Sequence, residues 1–159
     1  MAIKVYTDGS CHPPLRVGAF VAIIVAEEEI VLAEQHEDTT NNQMELMAVI
    51  RSLEYLQRHY SSERDIVFYL DSQYVMRLPL RAATLQAQEF KTKKGKAIRN
   101  QLAVQAFLKL FAEQPCQFVK VRAHEKKNIA DPLHRKVDFM SRKMVRAAVA
   151  ALKDKEEVD

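Results

Sequence analysis

The chain contains no tryptophan and only two cysteines, Cys11 and Cys116. Two thiols are too few for a disulfide framework, and neither has the CxxC or His-rich company of a zinc site. Long apolar runs are missing as well. The longest, Val17 to Ala26, falls far short of the roughly 20 residues that cross a bilayer. The first residues lack the charged region, apolar region and cleavage site of a signal peptide. These absences lead to the expectation of a cytoplasmic protein in a reducing compartment, without membrane contact. An excess of one charge is also lacking, since 24 Lys and Arg against 21 Asp and Glu leave a net charge of only +3. The total alone therefore does not announce a nucleic-acid binder.

What is present is enough for one hydrophobic core: 159 residues, 48% of them hydrophobic and 28% charged. The charges are unevenly placed. Acid collects at Glu27 to Glu29 and Glu34 to Asp38, whereas Lys91, Lys93, Lys94, Lys96 and Arg99 form a stretch with no acid inside it. No internal repeat or linker is visible. The expected organisation is a single domain over residues 1–153, with residues 154–159 a charged, frayed tail.

Ile3 to Thr7 and Gly18 to Ala26 are rich in β-branched and apolar residues, and Ile30 to Glu37 continues with weaker strand character. Three adjacent runs predict an antiparallel meander. From Met44 onward Leu46, Val49, Ile50, Leu53 and Leu56 recur at helical spacing, which predicts a helix of about four turns. Ile66 to Leu70 is a continuous apolar run, as expected of a central strand buried on both faces. Ala97 to Glu113 reads as helix, Gln117 to Arg122 as strand, and Pro132 opens a last helix with Val137, Met140, Met144, Val145, Ala148 and Leu152 on its apolar side. The predicted order β-β-β-α-β-α-β-α gives an α/β fold, one mixed sheet covered by helices.

Two of these strands end alike. Lys4 to Thr7 leads into Asp8, and Phe68 to Leu70 leads into Asp71. Acids at the ends of neighbouring strands would lie a few ångströms apart, because strands pair at about 4.8 Å. Each raises the other's pKa unless a cation sits between them, so a hard, oxygen-preferring ion such as Mg²⁺ or Mn²⁺ accounts for the pair economically. Either Asp alone is adequately explained as the start of a turn. Glu45 poses the same choice. Asn42 to Glu45 has the spacing of a capping box, which would make the Glu a structural partner; Thr40 to Gln43 is an equally good box and would leave Glu45 free in the first turn, facing the strand mouths.

TDGSC at Thr7 to Cys11, TTNNQMELMA at Thr39 to Ala48 and LDSQYV at Leu70 to Val75 together resemble the signature blocks of ribonuclease H, type I, in order and with similar separations. VRAH at Val121 to His124, followed by a Pro-led helix carrying Asp138, resembles the fourth block. This resemblance implies an RNase H-like fold, a five-stranded mixed sheet flanked by helices. It also implies an endonuclease that cuts the RNA strand of RNA–DNA hybrids to 5′-phosphate and 3′-hydroxyl ends. The matching catalytic positions are Asp8, Glu45, Asp71 and Asp138, which in the family hold two divalent ions. His124 stands where the family has a histidine thought to move protons or help product leave, a task suited to an imidazole with a pKa of about 6.5. By the same resemblance Ser10, Asn41, Asn42 and Gln73 are substrate contacts and Thr40 a phosphate partner. The run FKTKKGKAIR matches the place of a basic protrusion, with Lys91, Lys93, Lys94 and Lys96 as phosphate contacts.

Departures from the family pattern bear on these roles. The protrusion often carries tryptophans, and here only Phe90 remains for stacking. Where many members have a glycine-rich loop, this chain has His12, Pro13, Pro14 and Leu15. Asp131 before Pro132 reads as a helix cap rather than the fourth acid, although His134 replaces the Asn that often precedes that acid by four residues. His12, His36, His59 and His134 read as structural or surface residues. No hybrid-binding domain is seen before Ile3, so the expectation is a monomer that grips its hybrid with the catalytic domain alone and uses no organic cofactor. Two rivals stand beside this reading. One is an RNase H-like module that binds nucleic acid or protein without cutting. The other is a phosphoryl-transfer enzyme with an Asp nucleophile, but Asp8-Gly9-Ser10 lacks the second Asp of a haloacid-dehalogenase-like site.

Overall fold

The structure, a computed structural model, describes residues 1–121 and 131–158. Strands β1 (Ile3–His12), β2 (Val17–Val25) and β3 (Glu29–His36) form the meander, followed by helix α1 (Asn41–His59), β4 (Ile66–Leu70), α2 (Gln73–Ala87), α3 (Gln101–Glu113), β5 (Gln117–Lys120) and α4 (Pro132–Val158). The sheet order is β3-β2-β1-β4-β5. β1 pairs antiparallel with β2 and parallel with β4, and β5 adds parallel to β4. The expected five-stranded mixed sheet is therefore present, with β1 rather than β4 in the middle.

Burial on both faces follows from the helices. β2 is buried from Val17 to Ile24. On one face Ile3, Val5, Ile24, Ile66, Phe68 and Leu70 pack against the apolar stripes of α1, α2 and α3. On the other, Tyr6, Val21 and Ile23 meet Val137, with Leu133, Met140 and Met144 of α4 closing the edges. Burying one such Leu or Phe contributes roughly 1.5–3 kcal/mol.

α1 starts three residues earlier than the periodicity suggests. Thr40 is its N-cap, with Oγ1 accepting from the Gln43 N–H at 3.2 Å. Of the two capping boxes open in the sequence, the structure thus takes the one that frees Glu45, which falls in the second helical turn. The helix ends at Tyr60, whose N–H donates to the Leu56 carbonyl, with Arg58 and His59 suited to the negative end of the helix dipole.

α2 has no counterpart in the sequence reading. It contains Pro79 and buries only Val75, Leu78 and Leu85, so its stripe is thin and carries a helix breaker. Ser72 caps it through the Val75 N–H at 3.2 Å. α4 begins at Pro132 as expected, and Asp131 is its cap, accepting from the Leu133 N–H at 3.0 Å. The helix then runs through the charged segment to Val158, where fraying was expected. Among the described residues no helix is long and apolar enough to cross a membrane.

Candidate active site

Parallel pairing sets the two aspartates level. The register joins Ile3 to Ile66 and continues to Tyr6 with Tyr69. Two residues further along, where β4 has ended, it brings Asp8 opposite Asp71. Glu45 arrives from α1 because Gly9 lets the helix touch the strand. A Cβ on Gly9 would stand 2.6 Å from the Glu45 nitrogen and 2.8 Å from the Met44 carbonyl carbon, closer than real side chains come. Asp8, Glu45 and Asp71 offer oxygens that all lie within 4.8 Å of one another. Asp138, on α4, completes the surroundings from the other side: it sits beside Asp8, half-exposed, and its Oδ1 accepts from Arg142 Nε at 2.9 Å.

The cluster is buried and lacks its counter-charge. Asp8 is 6% and Glu45 4% exposed. Burial, then the hydrogen-bonded Asp138 and the Asp71 charge, pushes the Asp8 carboxyl up to about 8, against a smaller lowering by Glu45. Burial and the charges of Asp8 and Asp71 hold the Glu45 carboxyl well above the usual carboxylate range. Glu45 Oε2 has no hydrogen-bond partner. An all-oxygen donor set of this spacing, with an orphaned carboxylate oxygen inside it, fits a hard divalent cation. Neither thiol competes as a nucleophile, since burial raises the pKa of Cys11 and pushes that of Cys116 up to about 12.

Around the cluster, Ser10 is partly exposed on β1 and Gln73 opens α2 at the surface. Thr40, Asn41 and Asn42 are exposed at the start of α1 and line a groove with Arg16, Arg81 and Arg99. The sequence marks only Arg99, as part of the basic stretch, and does not group it with Arg16 and Arg81, because the three come from separate segments. Only the +53° φ of Arg16, which turns the His12–Leu15 loop, and the tie of its carbonyl to the Thr39 N–H bring it here. His12 caps that turn, its Nδ1 accepting from the Leu15 N–H at 3.3 Å.

Lys91, Lys93, Lys94 and Lys96 stand exposed on the connection between α2 and α3, closed by a Lys91–Ala97 bridge. Phe90 is packed against the core at the root of this hairpin, so its ring anchors the lysines rather than standing free for stacking. His124 lies outside the described residues.

Geometry and comparison converge. The RNase H family model matches residues 1–155, and the chain belongs to that family, a family of ribonucleases. A protein named Ribonuclease H from Caldicellulosiruptor saccharolyticus is 28% identical over 147 residues, covering 91% of this chain and 96% of that one. Another so named, from Novosphingobium aromaticivorans, is 29% identical over 77% of this chain and 85% of its own. The Ribonuclease H of Francisella philomiragia is 38% identical over 60% of this chain, and the match spans 61% of that relative. Among solved structures, a foamy viral protease–reverse transcriptase in complex with dsDNA superposes with a TM-score of 0.72 at 16% identity, over 89% of this chain and 92% of that one, a likeness of fold.

Proposed function

We propose that the protein is a divalent-cation-dependent endonuclease that hydrolyses the RNA strand of RNA–DNA hybrids, leaving 5′-phosphate and 3′-hydroxyl ends. The convergence of Asp8, Glu45 and Asp71 within 4.8 Å, two of them buried, carries the reading. These three and Asp138 would hold Mg²⁺ or Mn²⁺, two ions per site. Bound there, the ions supply the charge that activates an attacking water and stabilises the leaving 3′ oxygen. Asp8 and Asp71 hold their oxygens at the level of the strand mouths, and α1 brings in the Glu45 carboxylate through the Gly9 contact. Ser10, Asn41, Asn42 and Gln73 would hydrogen-bond the substrate, including the 2′-hydroxyl that separates RNA from DNA. Thr40 and the arginine-lined groove take phosphates, as do Lys91, Lys93, Lys94 and Lys96. His124 would move protons or help product leave. The same reading makes the protein a cytoplasmic monomer with no organic cofactor.

The test compares end-labelled RNA–DNA hybrid, duplex RNA and duplex DNA, each with Mg²⁺, Mn²⁺ or EDTA. Cutting of only the RNA strand of the hybrid, abolished by EDTA, is the expected result, and Asp71→Asn should bind the hybrid without cutting it. Equal cutting of duplex DNA, or full activity in EDTA, overturns the proposal. Binding without cutting by the wild type would favour a recognition module.

A further inference from the structure

Directly behind the carboxylates lie two aromatic rings that the metal chemistry does not use. Tyr6 precedes Asp8 by two residues and Tyr69 precedes Asp71 by two, so on each strand the ring and the acid point to the same side of the sheet. The two tyrosines are partners in the parallel ladder, and their rings stack with centroids 4.9 Å apart at an interplanar angle of 13°. Tyr6 is 2% exposed. Its hydroxyl leaves the stack toward α4 and donates to Asp131 Oδ2 at 2.5 Å. The other oxygen of that carboxylate, Oδ1, is the cap of α4, accepting from the Leu133 N–H at 3.0 Å. A single aspartate thus starts the helix and moors it to the central strand.

We propose that Tyr6 and Asp131 are positioning residues for the reaction: their hydrogen bond fixes where α4 begins on the sheet and thereby holds Asp138 beside Asp8. The inference rests on the reading of Asp138 as a metal-holding carboxylate. Asp138 lies seven residues beyond Asp131, about 10 Å along a helix rising 1.5 Å per residue. Apart from the contact of Asp138 itself with Asp8, the remaining packing of this part of α4 on the sheet is apolar and non-directional. Val137, Leu133, Met140 and Met144 press on Tyr6, Val21 and Ile23, and methionines accommodate small slides readily. The Lys136–Glu29 ion pair is exposed and long, at 3.9 Å. Among the described residues, and apart from the contact of Asp138 itself with Asp8, Tyr6–Asp131 is the one hydrogen bond joining the start of α4 to the sheet. A metal site tolerates displacement of a ligand by only a few tenths of an ångström, so a directional contact upstream of Asp138 has a use that packing alone does not meet. It also explains why the residue two places before each acid is tyrosine: Tyr69 supplies the platform on which the Tyr6 ring is held flat.

Tyr6→Phe keeps the ring, the stack and the burial while removing only the hydroxyl. Asp131→Ser keeps a good helix cap but is too short to reach Tyr6. Each variant and the double variant would be measured for the Mg²⁺ and Mn²⁺ concentrations that half-saturate thermal stabilisation of the protein, and for kcat and KM on the hybrid. The expected result is a rise in the half-saturating ion concentration, or a fall in kcat, of about tenfold in each single variant, with KM little changed. The double variant should be no worse than the singles, because one bond is broken in all three. If Tyr6→Phe lowers the melting temperature but leaves ion half-saturation and kcat at their wild-type values, the bond is structural only and the inference falls. If the wild type itself gains no stability from either ion, the metal reading falls first and takes this inference with it.

Discussion

Asp8, Glu45 and Asp71 are held by three elements that meet in the core, two of the three nearly inaccessible to water. Lys91, Lys93, Lys94 and Lys96 stand on a surface hairpin whose only apolar roots are Phe90 and Ile98. In the proposed function both regions serve one polyanion, yet they are built oppositely. The acids must occupy fixed points to share an ion, so the fold accepts the repulsion and desolvation of concentrating them. The lysines act through a field that reaches about 10 Å at moderate salt and tolerates movement, so they need an anchor and little else. The acidic region should therefore respond to changes of shape and charge alike, and the basic hairpin to changes of charge alone.

The largest expected contrast is at Asp8. Asp8→Asn should reduce cleavage by about 10³-fold or more, because a metal-holding charge is lost. The same change should stabilise the ion-free protein. The folded state retains the Asp8 proton until about 8, whereas the ordinary value is 3.8. Stability from this group is therefore complete at acid pH and is lost as pH rises through 8. In EDTA the variant should melt higher than the wild type at pH 8, by on the order of 5 °C, and the gap should close near pH 4. Calorimetry across that range checks it, and an unchanged or lower melting temperature at pH 8 would mean that the site is not strained without its ion.

An alanine in place of glycine separates the two regions by shape. Gly9→Ala puts a Cβ 2.6 Å from the Glu45 backbone, so α1 must retreat and take Glu45 with it. A cost of about 1–3 kcal/mol and a loss of activity larger than the fraction unfolded are expected. Gly95→Ala, at the hairpin tip with a φ of +80° and nothing within 4 Å, should cost about 1 kcal/mol or less through the left-handed backbone alone. Its activity should remain that of the wild type. Equal loss of activity in the two variants would erase the distinction between a shaped site and a merely charged one.

The smallest effect is expected at the lysines. Replacing all four with Ala should weaken hybrid binding about tenfold at moderate salt and flatten its salt dependence by roughly 0.7 to 0.9 log units per lost contact, with kcat preserved. Titrations at several salt concentrations measure the slope, and a slope equal to that of the wild type would make the hairpin a solvated face.

Local pattern carried much of this architecture. Alternation and apolar runs located the meander and β4, the stripe of Leu46, Val49, Ile50, Leu53 and Leu56 located α1, and Asp131-Pro132 located the start of α4, because each reflects contacts within a few residues along the chain. The twin endings at Asp8 and Asp71 were visible for the same reason. α2 escaped because Pro79 and a thin apolar stripe disguise a helix that α1 and α3 hold in place. Two equally good capping boxes could not be ranked from residue types, since Thr40 and Asn42 are both competent caps. Only the approach of α1 to Gly9 shows why the first is used. Arg16, Arg81 and Arg99 converge from segments with no local relation, and Tyr6 meets Asp131 across a separation of 125 residues. Sequence by itself determined the elements and the acids at their ends, whose causes are local. Tertiary structure alone decided which side chains those ends bring together, because register, helix docking and the hydrogen bonds between distant segments exist only once the sheet has formed.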